Sequence, residues 1–217
     1  MFGKSTSAFG PWQKAAWPLA RLFVPRRTRW FVEGHPKLDG QLWLADRRLL
    51  YETVRALRPA TCFEIGTWKG GGSTLFIAQG LHDNGRGTLH TIEVDRVMAA
   101  EARRNYETHL PHLIPHVTFH VGDYRQEYAA SVAAAGRVDL IFLDGAEDAG
   151  QTLAQFEFFL PHMRSGSALL AHDWLTDKAH LLKERLEGSS EWRIETVLLP
   201  PRSVGCALAV RQGGSAW

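Results

Sequence analysis

The amino-acid sequence predicts a doubly wound α/β fold. It would hold one seven-stranded sheet, mostly parallel, with helices on both faces and an antiparallel last strand. Three observations predict it. Short apolar runs alternate with helix-period segments across residues 60–186, the pattern of a parallel sheet buried on both faces. The run Val-Asp-Leu-Ile-Phe-Leu at 138–143 is almost continuously apolar, as a central strand must be. The last two strand-like runs, 192–199 and 204–210, are joined by a turn containing Pro200 and Pro201. That turn is too short for a crossover helix, so the final strand runs against its neighbour.

The elements follow in order. Residues 42–57 form a helix, with Leu42, Leu44, Leu49, Leu50, Val54 and Leu57 at roughly helical spacing and Pro59 as its stop. The run 60–65 is a buried strand that halts at Gly66, and Ser73 is the expected cap of a helix over 74–81. The alternation continues with a strand at 88–94, a helix at 96–107, a strand at 116–121 and a helix at 126–135. After the strand at 138–143 come a helix at 152–163, a strand at 167–171 and a helix at 178–186. No internal repeat or low-complexity tract interrupts the series.

A chain of 217 residues with 45% hydrophobic and 22% charged residues has room for one sizeable core. The reading divides it into a basic, aromatic N-terminal arm over 1–40 and a single domain over 41–217. In the arm, Lys4, Lys14, Arg21, Arg26, Arg27 and Arg29 all precede the first acid, Glu33, and Phe9, Trp12, Trp17, Phe23, Trp30 and Phe31 are interleaved with them. Such an arm either packs on the domain or on a second subunit of a homo-oligomer, or meets a membrane surface or an anionic substrate. A net charge of +2 gives no reason to expect nucleic acid as a partner. No apolar run approaches the ~20 residues of a transmembrane helix, and no leader pattern opens the chain. Cys62 and Cys206 are too few for a disulfide framework and sit in apolar runs, which points to a reducing, cytoplasmic setting.

Chemistry first becomes visible at the end of the first strand, in Glu-Ile-Gly-Thr-Trp-Lys-Gly-Gly-Gly-Ser at 64–73. Glycines let a backbone turn tightly and a ligand approach closely, and the helix that follows offers free N–H groups. An acid at the tip of the second strand, ~20 residues beyond the glycines, is placed to accept hydrogen bonds from ribose hydroxyls. Glu93 holds that position, with Asp95 as the alternative. Trp68 stands where a Gly-x-Gly-x-x-Gly dinucleotide loop would have its second glycine. The loop therefore suits a nucleoside without phosphates better than a nicotinamide dinucleotide.

The segment Phe-Glu-Ile-Gly-Thr-Trp-Lys-Gly-Gly-Gly-Ser-Thr at 63–74 resembles the first motif of class I S-adenosylmethionine-dependent methyltransferases. Within that family it is similar to the catechol-type and macrolide-sugar-type O-methyltransferases, although one extra glycine precedes Ser73. Thr-Ile-Glu-Val-Asp at 91–95, Val-Gly-Asp-Tyr at 121–124, Val-Asp-Leu-Ile-Phe-Leu-Asp-Gly at 138–145 and Leu-Leu-Ala-His-Asp-Trp at 169–174 resemble the later motifs in the same order. The resemblance implies a Rossmann-like sheet and S-adenosylmethionine as cofactor. It implies Glu64, Gly66, Thr67, Gly70 and Ser73 around the methionine part, Glu93 on the ribose, Asp123 near the adenine, and Asp144 beside the reacting end.

Asp144 stands at the tip of the fourth strand and His172 with Asp173 at the tip of the fifth. In a doubly wound sheet, ligands bind beyond such adjacent tips. Two carboxylates and an imidazole can hold one divalent cation, Mg²⁺ or Mn²⁺ by their oxygen content. The resemblance supports Asp144, His172 and Asp173 as metal positions, with a histidine in place of an acid and an aspartate in place of an amide. It also implies a lysine base three residues after Asp144, where this chain has Glu147. Glu147 and His172 both remain candidates for a base or a ligand beside Asp144. The alternative for Asp144 and Asp173 is a structural one, as acids that cap helices or bind backbone N–H groups. The expected activity is methyl transfer to a hydroxyl of a small molecule, on a sugar, phenolic or polyketide-like scaffold. A methyltransferase-like binding domain without catalysis and a nicotinamide-dependent oxidoreductase are the competing readings.

Overall fold

Successive side chains of a strand point to opposite faces of its sheet, and the central strands exploit this fully. Cys62, Leu140 and Phe142 enter one core, while Phe63, Ile141 and Leu143 enter the other. The molecule, described here by a computed structural model covering residues 22, 23 and 25–213, is thus a sheet with an apolar layer on each face. The expected arm residues Lys4, Phe9, Trp12, Lys14, Trp17 and Arg21 lie outside the described residues.

In chain order, helices α1 (Arg26–Glu33) and α2 (Leu44–Leu57) lead into strand β1 (Thr61–Ile65) and helix α3 (Ser73–Asn84). Then come β2 (Thr88–Glu93), α4 (Arg96–His109), β3 (Val117–Val121), the short helices α5 (Tyr124–Glu127) and α6 (Ala129–Ala135), and β4 (Val138–Leu143). Helix α7 (Ala149–Phe159), β5 (Met163–His172), α8 (His180–Glu187), β6 (Trp192–Leu198) and β7 (Cys206–Arg211) complete the chain. The sheet order is β3-β2-β1-β4-β5-β7-β6. All pairings are parallel except those of β7, which lies antiparallel between β5 and β6. The seven strands and the antiparallel last strand are as the sequence predicts. The order reverses between β1 and β4, so their carboxyl ends open a crevice.

Several boundaries differ from the expected ones for local reasons. Ser73 is the first residue of α3 rather than its cap, which is Gly72. The helix expected at 152–163 begins earlier, because the Asp148 carboxylate accepts the Gln151 N–H at 2.8 Å as its N-cap. It also ends earlier, in a 3₁₀ turn Leu160–His162 that contains Pro161. The helix expected at 126–135 is two pieces, the first capped by Asp123.

The boundary expected at residue 40 falls inside packed structure. Phe31, Leu38 and Leu42 belong to the core on the α2–α3 face. Trp30 and Phe31 pack against Phe76, with ring centroids 4.6 and 6.1 Å away. Fully burying an aromatic such as Phe31 stabilises the fold by roughly 1.5–3 kcal/mol, and the half-buried Trp30 contributes less. The buried Arg47 of α2 donates to the carbonyls of Phe31, Val32 and Leu42 at 3.1, 2.9 and 2.8 Å, which ties α1 to α2. Among the described residues, no helix is long and apolar enough to cross a membrane.

Candidate active site

The glycine loop is shaped by what presses on it. Gly66 leaves β1 with φ +107, and a Cβ there would stand 3.1 Å from the Asp144 backbone. Trp68 adopts the left-handed region, φ +47, uncommon for a bulky residue. Its N–H donates to Glu93 Oε2 at 2.8 Å, and the Asp95 N–H donates to Glu93 Oε1 at 3.0 Å. Both oxygens of Glu93 are thereby fixed at the mouth of the crevice. Asp95 has a different job, accepting the N–H groups of Val97 and Met98 as the cap of α4. Of the two acids, Glu93 lines the cleft and Asp95 does not.

Glu64 sits behind the loop, fully buried. Thr74 and Thr91 each donate to its Oε2 at 2.6 Å, while Oε1 has no hydrogen-bond partner among the described residues. Burial pushes its carboxyl up to about 7, against the opposing hydrogen bonds from Ser73, Thr74 and Thr91. Thr67 hydrogen-bonds Thr91 through their hydroxyls. The Gly70 carbonyl accepts from Tyr106 Oη at 3.0 Å.

A cleft of about 860 Å³ opens at the carboxyl ends of β1, β2, β4 and β5, within the range of small-molecule sites, roughly 300–1,000 Å³. Of the expected binders, Gly66, Glu93, Asp123 and Asp144 line it. Glu64, Thr67, Gly70 and Ser73 do not. Among these, Glu64, Thr67 and Gly70 make contacts that hold the loop and the strand behind it. Asp123 reaches the cleft while its side chain also accepts the Arg125 N–H at 2.9 Å.

At the other end of the cleft, Asp144, His172 and Asp173 come together, with one ligand atom from each mutually within 4.8 Å. His172 Nδ1 lies 3.2 Å from Asp144 Oδ1 and 3.5 Å from Asp173 Oδ1. Nε2 lies 3.5 Å from Oδ2 of Asp46 on α2. Burial alone would lower the imidazole, but Asp144 and Asp46 outweigh it and raise His172 to about 10. Burial likewise raises Asp144, and His172 opposes that rise. Asp173 takes φ +54, a conformation that aspartate tolerates better than most residues, and its Oδ2 meets Lys178 Nζ at 3.2 Å. Two carboxylates and an imidazole nitrogen form a donor set that fits a divalent cation. Glu147, the further candidate for base or ligand, is exposed and outside the cleft wall, its N–H directed to Gln151 Oε1 at 3.3 Å.

Among the cleft residues, Trp43, Gln155 and Lys178 escaped sequence reasoning, as did Asp46, which stands behind His172 outside the cleft wall. Only Asp46 left a signal, as an acid four residues from both Leu42 and Leu50 on an apolar helix face. Lys178 opens the helix expected at 178–186, and its place beside the cleft depends on how that segment packs against the β5 tip.

Comparison with curated proteins returns no match. Among solved structures, the chain is similar to the O-methyltransferase TomG of Streptomyces achromogenes, involved in tomaymycin synthesis and solved with S-adenosylmethionine. The two share 22% identity over 93% of this chain and 97% of that one, with a TM-score of 0.67. An O-methyltransferase of Bacillus cereus solved with S-adenosylhomocysteine has 18% identity over 98% and 93% of the two chains, with a TM-score of 0.63. The methyltransferase PaMTH1 of Podospora anserina has 16% identity over 97% and 100%, with a TM-score of 0.59. These likenesses are of fold. A family model described as a methyltransferase domain matches residues 63–174, from the glycine loop through the β5 tip. That match covers more than half of the sequence, and the chain belongs to this methyltransferase family.

Proposed function

We propose that the chain transfers the methyl group of S-adenosylmethionine to a hydroxyl of a small molecule, with a divalent cation, Mg²⁺ or Mn²⁺, assisting. The observation that carries this reading is the layout of one cleft. A glycine loop and a ribose-height acid, Gly66 and Glu93, stand at one end, and Asp144, His172 and Asp173 at the other. Glu93 accepts the ribose hydroxyls, having both oxygens already oriented by backbone N–H groups. Asp123 serves the adenine side. Asp144, His172 and Asp173 would hold the cation, which when bound lowers the pKa of the acceptor hydroxyl. Asp144 also borders the Gly66 turn, so it sets the distance between donor and acceptor halves. In-line positioning of the two substrates supplies much of the acceleration.

The acceptor side is walled by Leu42, Trp43 and Val204, with Gln155 and Lys178 beside the acids. An aromatic and aliphatic wall next to polar groups suits a phenolic, polyketide-like or sugar scaffold carrying a hydroxyl. Two free, buried cysteines favour a cytoplasmic setting.

Calorimetric titration with S-adenosylmethionine, with and without Mg²⁺, tests the reading. Saturable heat from S-adenosylmethionine is expected. Heat from NADH with none from S-adenosylmethionine would overturn it in favour of an oxidoreductase.

A further inference from the structure

We propose that Asp46 is the positioning residue of His172, holding the imidazole so that its Nδ1 lone pair faces the Asp144–Asp173 pair and a cation held there. The inference rests on the metal part of the proposed function and deepens it.

Asp46 is fully buried on α2. A carboxylate without solvent is costly unless its oxygens are engaged. Its Oδ2 accepts the Trp43 N–H at 3.3 Å and lies 3.5 Å from His172 Nε2. Its Oδ1 has no hydrogen-bond partner among the described residues. Capping α2 uses one oxygen and no charge. The cap therefore leaves unexplained why an ionisable group stands against the imidazole.

The imidazole explains it. Nε2 faces Asp46, while Nδ1 faces Asp144 and Asp173 at 3.2 and 3.5 Å. Histidine ligates a cation in its neutral form, which has one N–H and one lone pair. With the hydrogen on Nε2, directed at Asp46, the lone pair of Nδ1 falls on the side where the three ligand atoms gather within 4.8 Å. With the hydrogen on Nδ1, the lone pair would turn away from the acids, against the Asp46 carboxylate. A carboxylate behind a ligating histidine fixes the ring's tautomer and orientation. Asp46 supplies it from a helix outside the sheet, and the same oxygen anchors Trp43, part of the acceptor wall.

The test is Mn²⁺ binding to the intact chain, read from the paramagnetic resonance of free Mn²⁺, for the wild type, Asp46→Asn, His172→Gln and the double variant. Asparagine keeps the size and can accept the Trp43 N–H but carries no charge. Expected are a roughly 10–100-fold weaker Mn²⁺ affinity in Asp46→Asn, an unchanged S-adenosylhomocysteine affinity by calorimetry, and a double variant no weaker than His172→Gln alone. Wild-type Mn²⁺ affinity in Asp46→Asn, or additive losses in the double variant, would overturn the inference. Should Asp46→Asn fail to fold, ¹⁵N-histidine spectra of the wild type with Mg²⁺ decide the matter: an Nε2–H tautomer at His172 supports the inference, and an Nδ1–H tautomer refutes it. A wild type that binds S-adenosylhomocysteine but no Mn²⁺ removes the inference and the metal, and leaves the methyl-donor reading standing.

Discussion

Gly40 and Gly71 meet backbone to backbone: a Cβ on Gly40 would stand 2.2 Å from the Gly71 carbonyl oxygen, and one on Gly71 2.2 Å from the Asp39 carbonyl oxygen. The chain before α2 is thus laid directly over the glycine loop. This contact gives the extra glycine before Ser73 a physical reason, since the loop must be bare on the side that the 38–41 segment covers.

Alanine at Gly40 or Gly71 should therefore destabilise the fold by about 1–3 kcal/mol, the usual range for overpacking. Gly72→Ala should cost less, because its Cβ would meet nothing nearer than 3.9 Å. Urea unfolding of the three variants gives the comparison. Equal losses at all three positions would contradict the close approach.

Glu93 and Asp95 should separate cleanly. Glu93→Ala removes a charged acceptor aimed into the cleft and should weaken S-adenosylhomocysteine binding roughly 10–100-fold. Asp95→Ala removes a helix cap worth about 1 kcal/mol and should lower the melting temperature by roughly 2–4 °C with little change in affinity. Calorimetry and thermal melting on both variants would show the crossed pattern or its absence.

Asp144→Ala should abolish Mg²⁺-dependent turnover while leaving much of the cofactor affinity, since Glu93 and the Gly66 loop are intact in that variant. Turnover that survives undiminished would remove the cation from the mechanism.

Glu64 should leave a mark on stability against pH. Its carboxyl is raised from the usual 4.5 to about 7 by burial, so the folded state binds a proton more tightly than the unfolded chain. Stability from this group is present below pH 4.5 and is lost as pH rises through 7. A shift of that size corresponds to roughly 3 kcal/mol at 1.36 kcal/mol per pH unit. Glu64→Gln should lack this loss, so its stability relative to the wild type should rise between pH 5 and 8. A difference between the two that is flat with pH would show that Glu64 is ionised in the fold throughout.

The order of strands and helices was legible in the sequence, because the period of apolar residues is local: two for a strand, 3.6 for a helix. The antiparallel last strand was legible from the short turn at Pro200 and Pro201. So was the set of strand tips, which puts Asp144, His172 and Asp173 at adjacent ends. Helix limits were less legible, since Asp148 and Asp123 displaced the expected starts by capping, and a cap depends on which N–H groups are left free.

What only the tertiary structure decided was which side chains face the cleft and what stands behind them. Glu64, Thr67, Gly70 and Ser73 share a motif with Gly66, yet only Gly66 of the five lines the cleft, because the motif runs from the end of β1 through the loop to the start of α3 and its residues face different sides. Asp46 and His172 are far apart in the chain and meet only when α2 packs beside the β5 tip. Local periodicity fixes which face a residue occupies within its element. The partner of that face is set by how the elements pack.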